Sequence, residues 1–183
     1  MSKLTLAIAV WGGLAIAIPI EQGAAATETI EAREAASDAA ALAREDFVET
    51  FGDKYLKPGQ YVWKSKSDTT GPPQVVISLS DQLAYLYRGD TLVAAASIST
   101  GEPGRDTPSG IFSVFLKKKF HRSIKYDNAP MPHMQMITDY GVALHGGHNP
   151  GYPASHGCIR LPAQFAAKLY GVTDVGTPVL IGA

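Results

Sequence analysis

Short apolar runs separated by turn residues fill the middle of the chain and limit the folds that it can adopt. Three runs rich in β-branched and aromatic residues lie at 75–79, 83–87 and 92–98, and R-G-D at 88–90 has the composition of a tight turn. Further strands are predicted at 61–63, 111–116 and 178–181. Because no helical segments alternate with these strands, the pattern predicts a mainly β domain and not an alternating α/β fold.

One helix is predicted late in the chain. Pro162 suits the first helical position, and Gly171 suits the position just past the helix end. Leu161, Phe165 and Leu169 recur at a spacing of four residues, which gives the segment one apolar face. The sequence therefore predicts a single short helix that begins shortly after residue 160.

The first 26 residues have the composition of a secretory signal peptide. Lys3 supplies a positive start, residues 4–20 are mostly apolar, and A-A-A at 24–26 offers a cleavage site. The alternative is a transmembrane anchor, but 17 residues are at the lower limit for a span, and two glycines and a proline weaken the segment as a helix. We therefore expect an exported protein of the periplasm or cell wall, cleaved near Ala26.

Residues 27–57 connect this leader to the strand-rich region. Alanine and glutamate dominate up to residue 50, and large apolar residues are scarce before Leu42 and Phe47. This composition predicts a helical or flexible segment that docks only near its end, with disorder as the simpler interpretation. The globular domain is expected at 58–183, with its core at about 73–182.

Charge and composition exclude some classes of partner. The chain has 183 residues, of which 45% are hydrophobic, so it is long enough for one domain with a real core. The net charge of −1 gives no reason to expect nucleic acid or an anionic membrane surface as a partner. K-K-K at 117–119 is either a solvated strand end or a patch that attracts an acidic glycan or peptide.

Cys158 is the only cysteine of the chain and lies in S-H-G-C-I-R at residues 155–160. In an exported protein a lone cysteine forms an intermolecular bridge, is a reactive thiol, or is buried and inert. Its polar and glycine-rich neighbours are unlike a core segment, which favours the reactive thiol. His156 lies two residues upstream and His145, in L-H-G-G, lies 13 residues upstream. A thiol with nearby imidazoles has the components needed for nucleophilic acyl transfer.

Either histidine is a candidate for the base, because a thiol of ordinary pKa is mostly protonated at neutral pH. In an extended segment His156 and Cys158 would point to the same face, whereas His145 would reach the sulfur from a neighbouring strand. Gly157 permits a sharp turn, so its N–H and that of Cys158 are candidates to bind an oxyanion. Arg160 is expected either to bind a substrate carboxylate or to form a structural salt bridge.

The S-H-G-C-I-R element, preceded by H-G at 145–146, resembles the signature of the L,D-transpeptidase catalytic domain (the YkuD-like family). The resemblance extends over about residues 73 to 182. It includes, in the family's order, Ser78, Asp81 and Gln82, Y-L-Y at 85–87, S-T-G at 99–101, T-P-S-G at 107–110 and P-M-P at 130–132.

This resemblance implies a β-sandwich-like fold, a cell-wall substrate and no cofactor or metal. It makes Cys158 the nucleophile and His145 the general base. It also makes His156 a residue that shapes the site, Ser155 a support for the histidines through hydrogen bonding, and Gly157 an oxyanion donor together with the cysteine N–H. Arg160 and Gly146 are expected to contact substrate.

The activity that the resemblance implies is acyl transfer on peptidoglycan stem peptides. The thiol would attack the bond between diaminopimelate and D-alanine, release D-alanine and pass the acyl group to an amine. The amine would belong to a second stem, a wall-linked lipoprotein or a D-amino acid, whereas water as acceptor would make the protein a carboxypeptidase. Carbapenems are expected to acylate the same cysteine. The loop at 148–154 is short for the family and identifies no acceptor.

Two further classes of function are weighed against this one. Five histidines and the cysteine offer ligands for a zinc hydrolase, but neither H-E-x-x-H nor C-x-x-C is present. A binding module that has lost catalysis is the second alternative, and the presence of Cys158, His145, His156 and Arg160 argues against it.

Overall fold

The computed structural model describes residues 26–65 and 70–183, so the predicted leader lies outside the described residues except for Ala26. Two helices and ten strands form within the described part. In chain order they are α1 (Ile30–Phe51), β1 (Tyr61–Trp63), β2 (Pro73–Ser78), β3 (Leu83–Arg88), β4 (Thr91–Ser97), β5 (Gly110–Ser113), β6 (Leu116–Lys118), β7 (Met134–Met136), β8 (Ala143–Gly146), β9 (Ile159–Leu161), α2 (Ala163–Val172) and β10 (Pro178–Gly182). Neither helix of these two stretches is long and apolar enough to cross a membrane.

The strands form two mixed sheets, which confirms the prediction of a mainly β fold. The larger sheet has the order β1-β4-β3-β2-β10-β5, and the smaller has the order β6-β7-β8-β9. Only the β2–β10 and β8–β9 pairs are parallel. Val75 and Ile77 of β2 point into the main core, whereas Val76 between them packs on the opposite side, under α1. Both faces of the larger sheet are therefore covered.

Helix α1 lies along the larger sheet over its whole length, so the expectation of a segment that docks only near its end is wrong. Its buried face consists of four alanines and one phenylalanine, namely Ala32, Ala36, Ala40, Ala43 and Phe47. The helix comes so close to β10 that a Cβ on Gly182 would lie 2.5 Å from the Ala36 carbonyl oxygen. Alanines and a glycine thus allow close packing between backbones, which a search for large apolar side chains overlooks.

The residues just before α1 are also fixed to the domain. Thr27 and Ile111 exchange two backbone hydrogen bonds, of 2.8 and 3.0 Å, at the free edge of β5. Gly110 has a φ of +142°, and a Cβ there would lie 2.4 Å from the Thr27 carbonyl oxygen. Glu28 then accepts a 2.8 Å hydrogen bond from the Tyr140 hydroxyl. The residues directly before α1 are therefore attached to the strand-rich part of the structure.

Two other sequence predictions need correction. The strand expected at 111–116 is two strands in different sheets, because the chain leaves the larger sheet after Ser113 and enters the smaller one at Leu116. Lys117 is not a solvated strand end, since its Nζ donates to the carbonyl oxygens of Tyr170 and Thr173 at the end of α2. This contact satisfies carbonyl groups that a helix C-terminus leaves without intrahelical partners.

Helix α2 is confirmed with shifted ends. Pro162 is the residue before the first helical position, and Gly171 lies inside the helix, which ends at Val172. Phe165 and Leu169 are buried against the core as the spacing predicted.

Candidate active site

Two adjacent parallel strands bring the predicted site residues together. In the β8–β9 pair Leu144 lies beside Ile159 and His145 lies beside Arg160. Leu144 and Ile159 belong to the main core, so the alternation of side chains directs His145 and Arg160 to the opposite face. Cys158 precedes Arg160 by two residues and packs against a cluster on that face that includes Ala143. The thiol, the imidazole and the guanidinium thus share one face of the smaller sheet.

This face forms the floor of an open cleft of about 1310 Å³. One wall is the segment between β6 and β7, and the other includes the loop after β4. Polar and charged side chains at its border include Arg105, Asp106, His121, Lys125, Tyr126 and Asp139. A cleft of this size accommodates an extended peptide segment, and the charges of both signs around it are suited to a zwitterionic substrate.

Cys158 is a half-buried free thiol on this floor. Its Sγ lies 3.7 Å from the carbonyl oxygen of Gly141. Burial raises the pKa of the Cys158 thiol above the ordinary value, while the backbone amide of Ala143 and the positive charge of Arg160 act in the opposite direction. The net direction is upward, so the resting group is a neutral thiol that needs a base to become nucleophilic.

His145 has the tautomer that such a base requires. It is 7% exposed, and its Nδ1 lies 3.0 Å from the carbonyl oxygen of Gly146. Because a carbonyl only accepts hydrogen bonds, Nδ1 carries the proton in this contact and Nε2 keeps its lone pair. Burial lowers the pKa of the imidazole, with a smaller contribution in the same direction from Arg160, while the Gly146 contact raises it. The ring is therefore neutral and able to accept a proton near pH 7.

The hydrogen bonds in the turn before the thiol differ from those predicted. The buried Ser155 hydroxyl accepts a 3.1 Å hydrogen bond from the Gly157 N–H and donates to the Cys158 carbonyl oxygen at 2.5 Å. Ser155 therefore supports the turn and not the histidines. The N–H of Gly157 is used inside the turn, so the prediction that it binds an oxyanion is not supported by this geometry. The N–H of Cys158 stays the predicted donor.

Residues outside the signature hold this turn in place. The Thr107 hydroxyl donates to the Gly157 carbonyl oxygen at 2.9 Å and accepts from the Gly101 N–H at 2.8 Å. Gly101 tolerates no side chain, because a Cβ there would lie 2.1 Å from the Arg105 carbonyl oxygen. The carbonyl oxygen of Thr100 accepts the N–H of Ser155 at 2.9 Å. The S-T-G and T-P-S-G stretches are thus the framework of the turn, a role that sequence analysis did not assign.

Gln82 extends the same framework to the larger sheet. Its amide group donates to the Thr100 hydroxyl at 2.7 Å, and its carbonyl oxygen accepts the Thr100 N–H at 3.0 Å. Both residues are buried, so this pair of bonds fixes the loop after β4 beneath the turn.

His156 contacts side chains of the cleft walls. Gly157 has a φ of +109°, so the segment is not extended and the two side chains do not share a face as expected. The His156 ring stacks on Tyr126 with centroids 4.3 Å apart, and its Nε2 lies 3.8 Å from a carboxylate oxygen of Glu102. It thus contacts both walls of the cleft, and its role in shaping the site stays a prediction.

Arg160 and Gly146 serve the site in different ways. No carboxylate lies within 4 Å of the Arg160 guanidinium among residues 26–65 and 70–183, which disfavours the salt-bridge alternative. Its backbone pairs with Ser99 through bonds of 2.9 and 3.0 Å, and its side chain borders the cleft. Gly146 also borders the cleft, and its backbone orients His145 and accepts the close approach of Ala166, 3.4 Å from a Cβ there.

The remaining histidines do not form one cluster. His121 and His148 border the cleft, whereas His133 packs against Tyr170 with ring centroids 5.6 Å apart. Within the described residues no three side chains of the histidine, cysteine or acidic types are grouped to hold a metal ion.

Comparison with known proteins identifies the family to which this architecture is similar. Residues 72–181 match the sequence profile of the L,D-transpeptidase catalytic domain (YkuD). No curated protein matches the chain. L,D-transpeptidase 1 from Mycobacterium tuberculosis has a similar structure, with a TM-score of 0.54 and 24% identity over 61% of this chain and 62% of that one. This chain therefore spans less than two thirds of the length of that relative.

Two further solved structures are similar to the chain. The L,D-transpeptidase from Mycobacterium smegmatis has a TM-score of 0.57 and 20% identity over 72% of this chain and 70% of that one. The one from Xylanimonas cellulosilytica has a TM-score of 0.56 and 25% identity over 65% and 64%, respectively. These likenesses show that the two-sheet fold is that of L,D-transpeptidases. Since the profile match covers more than half of the 183 residues, this chain belongs to the L,D-transpeptidase catalytic domain family.

Proposed function

We propose that this protein is a peptidoglycan L,D-transpeptidase with Cys158 as nucleophile and His145 as general base. The observation that carries the proposal is the juxtaposition of these residues on one sheet face, with the Nδ1 proton of His145 held by a carbonyl and Nε2 left as an acceptor. Family membership supplies the reaction class, and the open cleft supplies the space for a stem peptide.

The proposed first half-reaction forms a thioester. Nε2 of His145 takes the thiol proton as the sulfur of Cys158 attacks the carbonyl carbon of the diaminopimelate–D-alanine bond. The N–H of Cys158 donates to the oxyanion of the tetrahedral intermediate. The intermediate then collapses, the C–N bond breaks, and His145 returns the proton to the departing D-alanine amine.

The second half-reaction regenerates the thiol. An acceptor amine attacks the thioester carbonyl carbon and gives its proton to His145, and the proton passes to the leaving sulfur. We propose a second stem peptide, a wall-linked lipoprotein or a D-amino acid as the acceptor, with no role for nucleic acid. An L,D-carboxypeptidase, with water in place of the amine, is the alternative. Arg160 binds a stem carboxylate in this scheme, since its guanidinium has no carboxylate partner among the described residues.

We also propose that the protein is exported to the periplasm or cell wall and that the leader is cleaved near Ala26. The motivation is the apolar segment at 4–20 followed by A-A-A. N-terminal sequencing of protein recovered from the extracytoplasmic fraction tests this, and recovery of the uncleaved chain from the cytoplasm would refute it.

The decisive experiment is intact-mass spectrometry of the protein incubated with a tetrapeptide muropeptide, alone and with a D-amino acid. A transient tripeptide adduct on Cys158, release of D-alanine and an exchanged product support transpeptidation. Tripeptide product alone indicates a carboxypeptidase. A folded protein with a free thiol that forms neither adduct nor product indicates a binding module that does not catalyse the reaction.

Histidine variants separate the base from its neighbours. His145→Ala is expected to slow adduct formation by on the order of 10²-fold or more. His133→Ala is the matched control, because this ring packs against Tyr170 and does not border the cleft. If His156→Ala slowed the reaction and His145→Ala did not, the assignment of the base would be wrong.

A carbapenem offers a second test of the thiol. One L,D-transpeptidase has been solved in complex with imipenem. We expect imipenem to add its mass to this protein and not to the Cys158→Ala variant. An adduct of equal yield on both proteins would place the reactive group elsewhere.

A further inference from the structure

A two-armed hairpin between β6 and β7, residues 119–133, forms one wall of the cleft. Its arms are joined by backbone hydrogen bonds of 2.8 to 2.9 Å, from Met131 to His121, from Ser123 to Ala129 and from His133 to Lys119. The connection between them, residues 124–128, is a turn. The hairpin thus has a face toward the cleft and a face toward solvent.

The first arm of the hairpin alternates between these faces. His121 and Ser123 are half-buried and border the cleft. The residues between and around them are exposed, and Phe120 is 81% exposed while Ile124 at the tip is 99% exposed. Side chains two apart on an extended segment point the same way. The outward face of this arm therefore carries Lys118, Phe120 and Arg122. Ile124 follows at the exposed tip, which also borders the cleft.

The charge of this region differs from that of the whole protein. Four cations and one anion, Asp127, lie within residues 118–127, although the net charge of the chain is −1. Among the described residues none of the four cations has a carboxylate within 4 Å. Lys119 and Lys125 instead lie over neighbouring aromatic rings, at 5.7 and 5.5 Å from the ring centroids. The positive charge is therefore not neutralised within the described fold.

We propose that this outward face docks on an anionic phospholipid bilayer. The ammonium and guanidinium groups contact lipid phosphates, and Phe120 and Ile124 enter the headgroup region, as on other interfacial segments that combine basic and apolar side chains. An acidic polysaccharide would satisfy the cations but would leave two large, exposed apolar side chains in water. The apolar tip thus favours a bilayer. The proposal does not depend on the proposed acyl transfer, because the outward face contains none of the reacting groups.

Limited trypsin digestion of the full chain, followed by mass spectrometry, tests the proposal locally. The reporters are the cleavages after Lys119 and Lys125, and the internal reference is the cleavage after the exposed Lys54 in another part of the surface. Binding through other parts of the chain also changes the reference cleavage, so the ratio of the two rates reports on the hairpin. Vesicles with 30% phosphatidylglycerol are compared with pure phosphatidylcholine vesicles.

We expect anionic vesicles to slow the hairpin cleavages by about tenfold relative to the reference, since each cation near such a surface contributes roughly fivefold in affinity. Phe120→Ser/Ile124→Ser and Lys118→Gln/Arg122→Gln are each expected to remove most of this protection. The matched control is Leu42→Ser/Val175→Ser, which removes two exposed apolar side chains elsewhere and should leave the protection intact.

Three results would overturn the proposal. The first is equal protection by neutral and anionic vesicles, and the second is loss of protection in the control variant. The third is protection by dextran sulfate that matches that of the vesicles and survives Phe120→Ser/Ile124→Ser, which would identify an acidic polymer as the ligand. Retained D-alanine release in the hairpin variants would show that the acyl-transfer site is unaffected by these changes.

Discussion

The docking of α1 predicts that one residue of this helix contributes strongly to stability. Phe47 is fully buried between the helix and the larger sheet, with its ring 5.7 Å from that of Phe51 and 6.3 Å from that of Tyr85. Leu42 lies in the same helix but is 60% exposed. Phe47→Ala removes a large buried side chain and leaves a cavity, which costs about 3 to 5 kcal/mol. Leu42→Ala is expected to change the free energy of unfolding by about 0.5 kcal/mol or less.

Urea unfolding followed by circular dichroism measures both changes. For a domain of this size the Phe47→Ala cost corresponds to a drop in Tm of roughly 6 to 20 °C. The urea m-value should stay unchanged if both variants unfold in the same cooperative transition. If the two substitutions had the same effect, within about 0.5 kcal/mol, α1 would not be packed on the sheet and the docking argument would fail.

Other predictions concern the site and the core. The rate of D-alanine release should fall as pH drops below the pKa of His145, which burial lowers from its ordinary value, because protonation removes the base. In His145→Ala the rate should instead rise by about tenfold per pH unit toward the pKa of Cys158, which burial raises above its ordinary value; a flat profile would contradict this. Ser155→Ala leaves the buried Gly157 N–H without its partner and should cost about 1 to 3 kcal/mol in urea unfolding; an unchanged midpoint would show that water replaces the hydroxyl. Tyr85→Phe should be neutral or stabilising, because its buried hydroxyl has no hydrogen-bond partner among the described residues, and a loss above about 1 kcal/mol would reveal one.

The strands were predictable because their signal is local. Val75, Ile77 and Leu86 are apolar and β-prone, and turn residues separate their strands, so the main sheet follows from the pattern. The position of α1 was not predictable in the same way. Its buried face is mostly alanine, and alanine at a helical spacing does not distinguish a packed face from a solvated one. The alanine face is packed because the helix closely approaches Gly182, which lies 146 positions after Ala36 in the sequence.

The site also has some features that the sequence predicted and others that it did not. The juxtaposition of His145 and Cys158 followed from their neighbours, which resemble the family signature. The contacts of His156 did not, because the positive φ of Gly157 makes the segment non-extended and the ring stacks on Tyr126. The partner of Ser155 was also beyond the sequence, since a hydroxyl in a glycine-rich turn can bond either to the backbone or to a neighbouring side chain.

The pairing of Thr27 with Ile111 limits how far the domain can lie from the leader segment. The apolar leader segment ends at Ile20, and six residues separate it from Thr27. Six fully extended residues reach about 20 Å. If the leader stayed in a membrane as an anchor, this domain would be held within about that distance of the bilayer surface and could sample only the layer of wall beside it. Cleavage near Ala26 would release the domain with almost no residues ahead of its first backbone pair, so a single proteolytic event would change the reach of the enzyme without altering its fold.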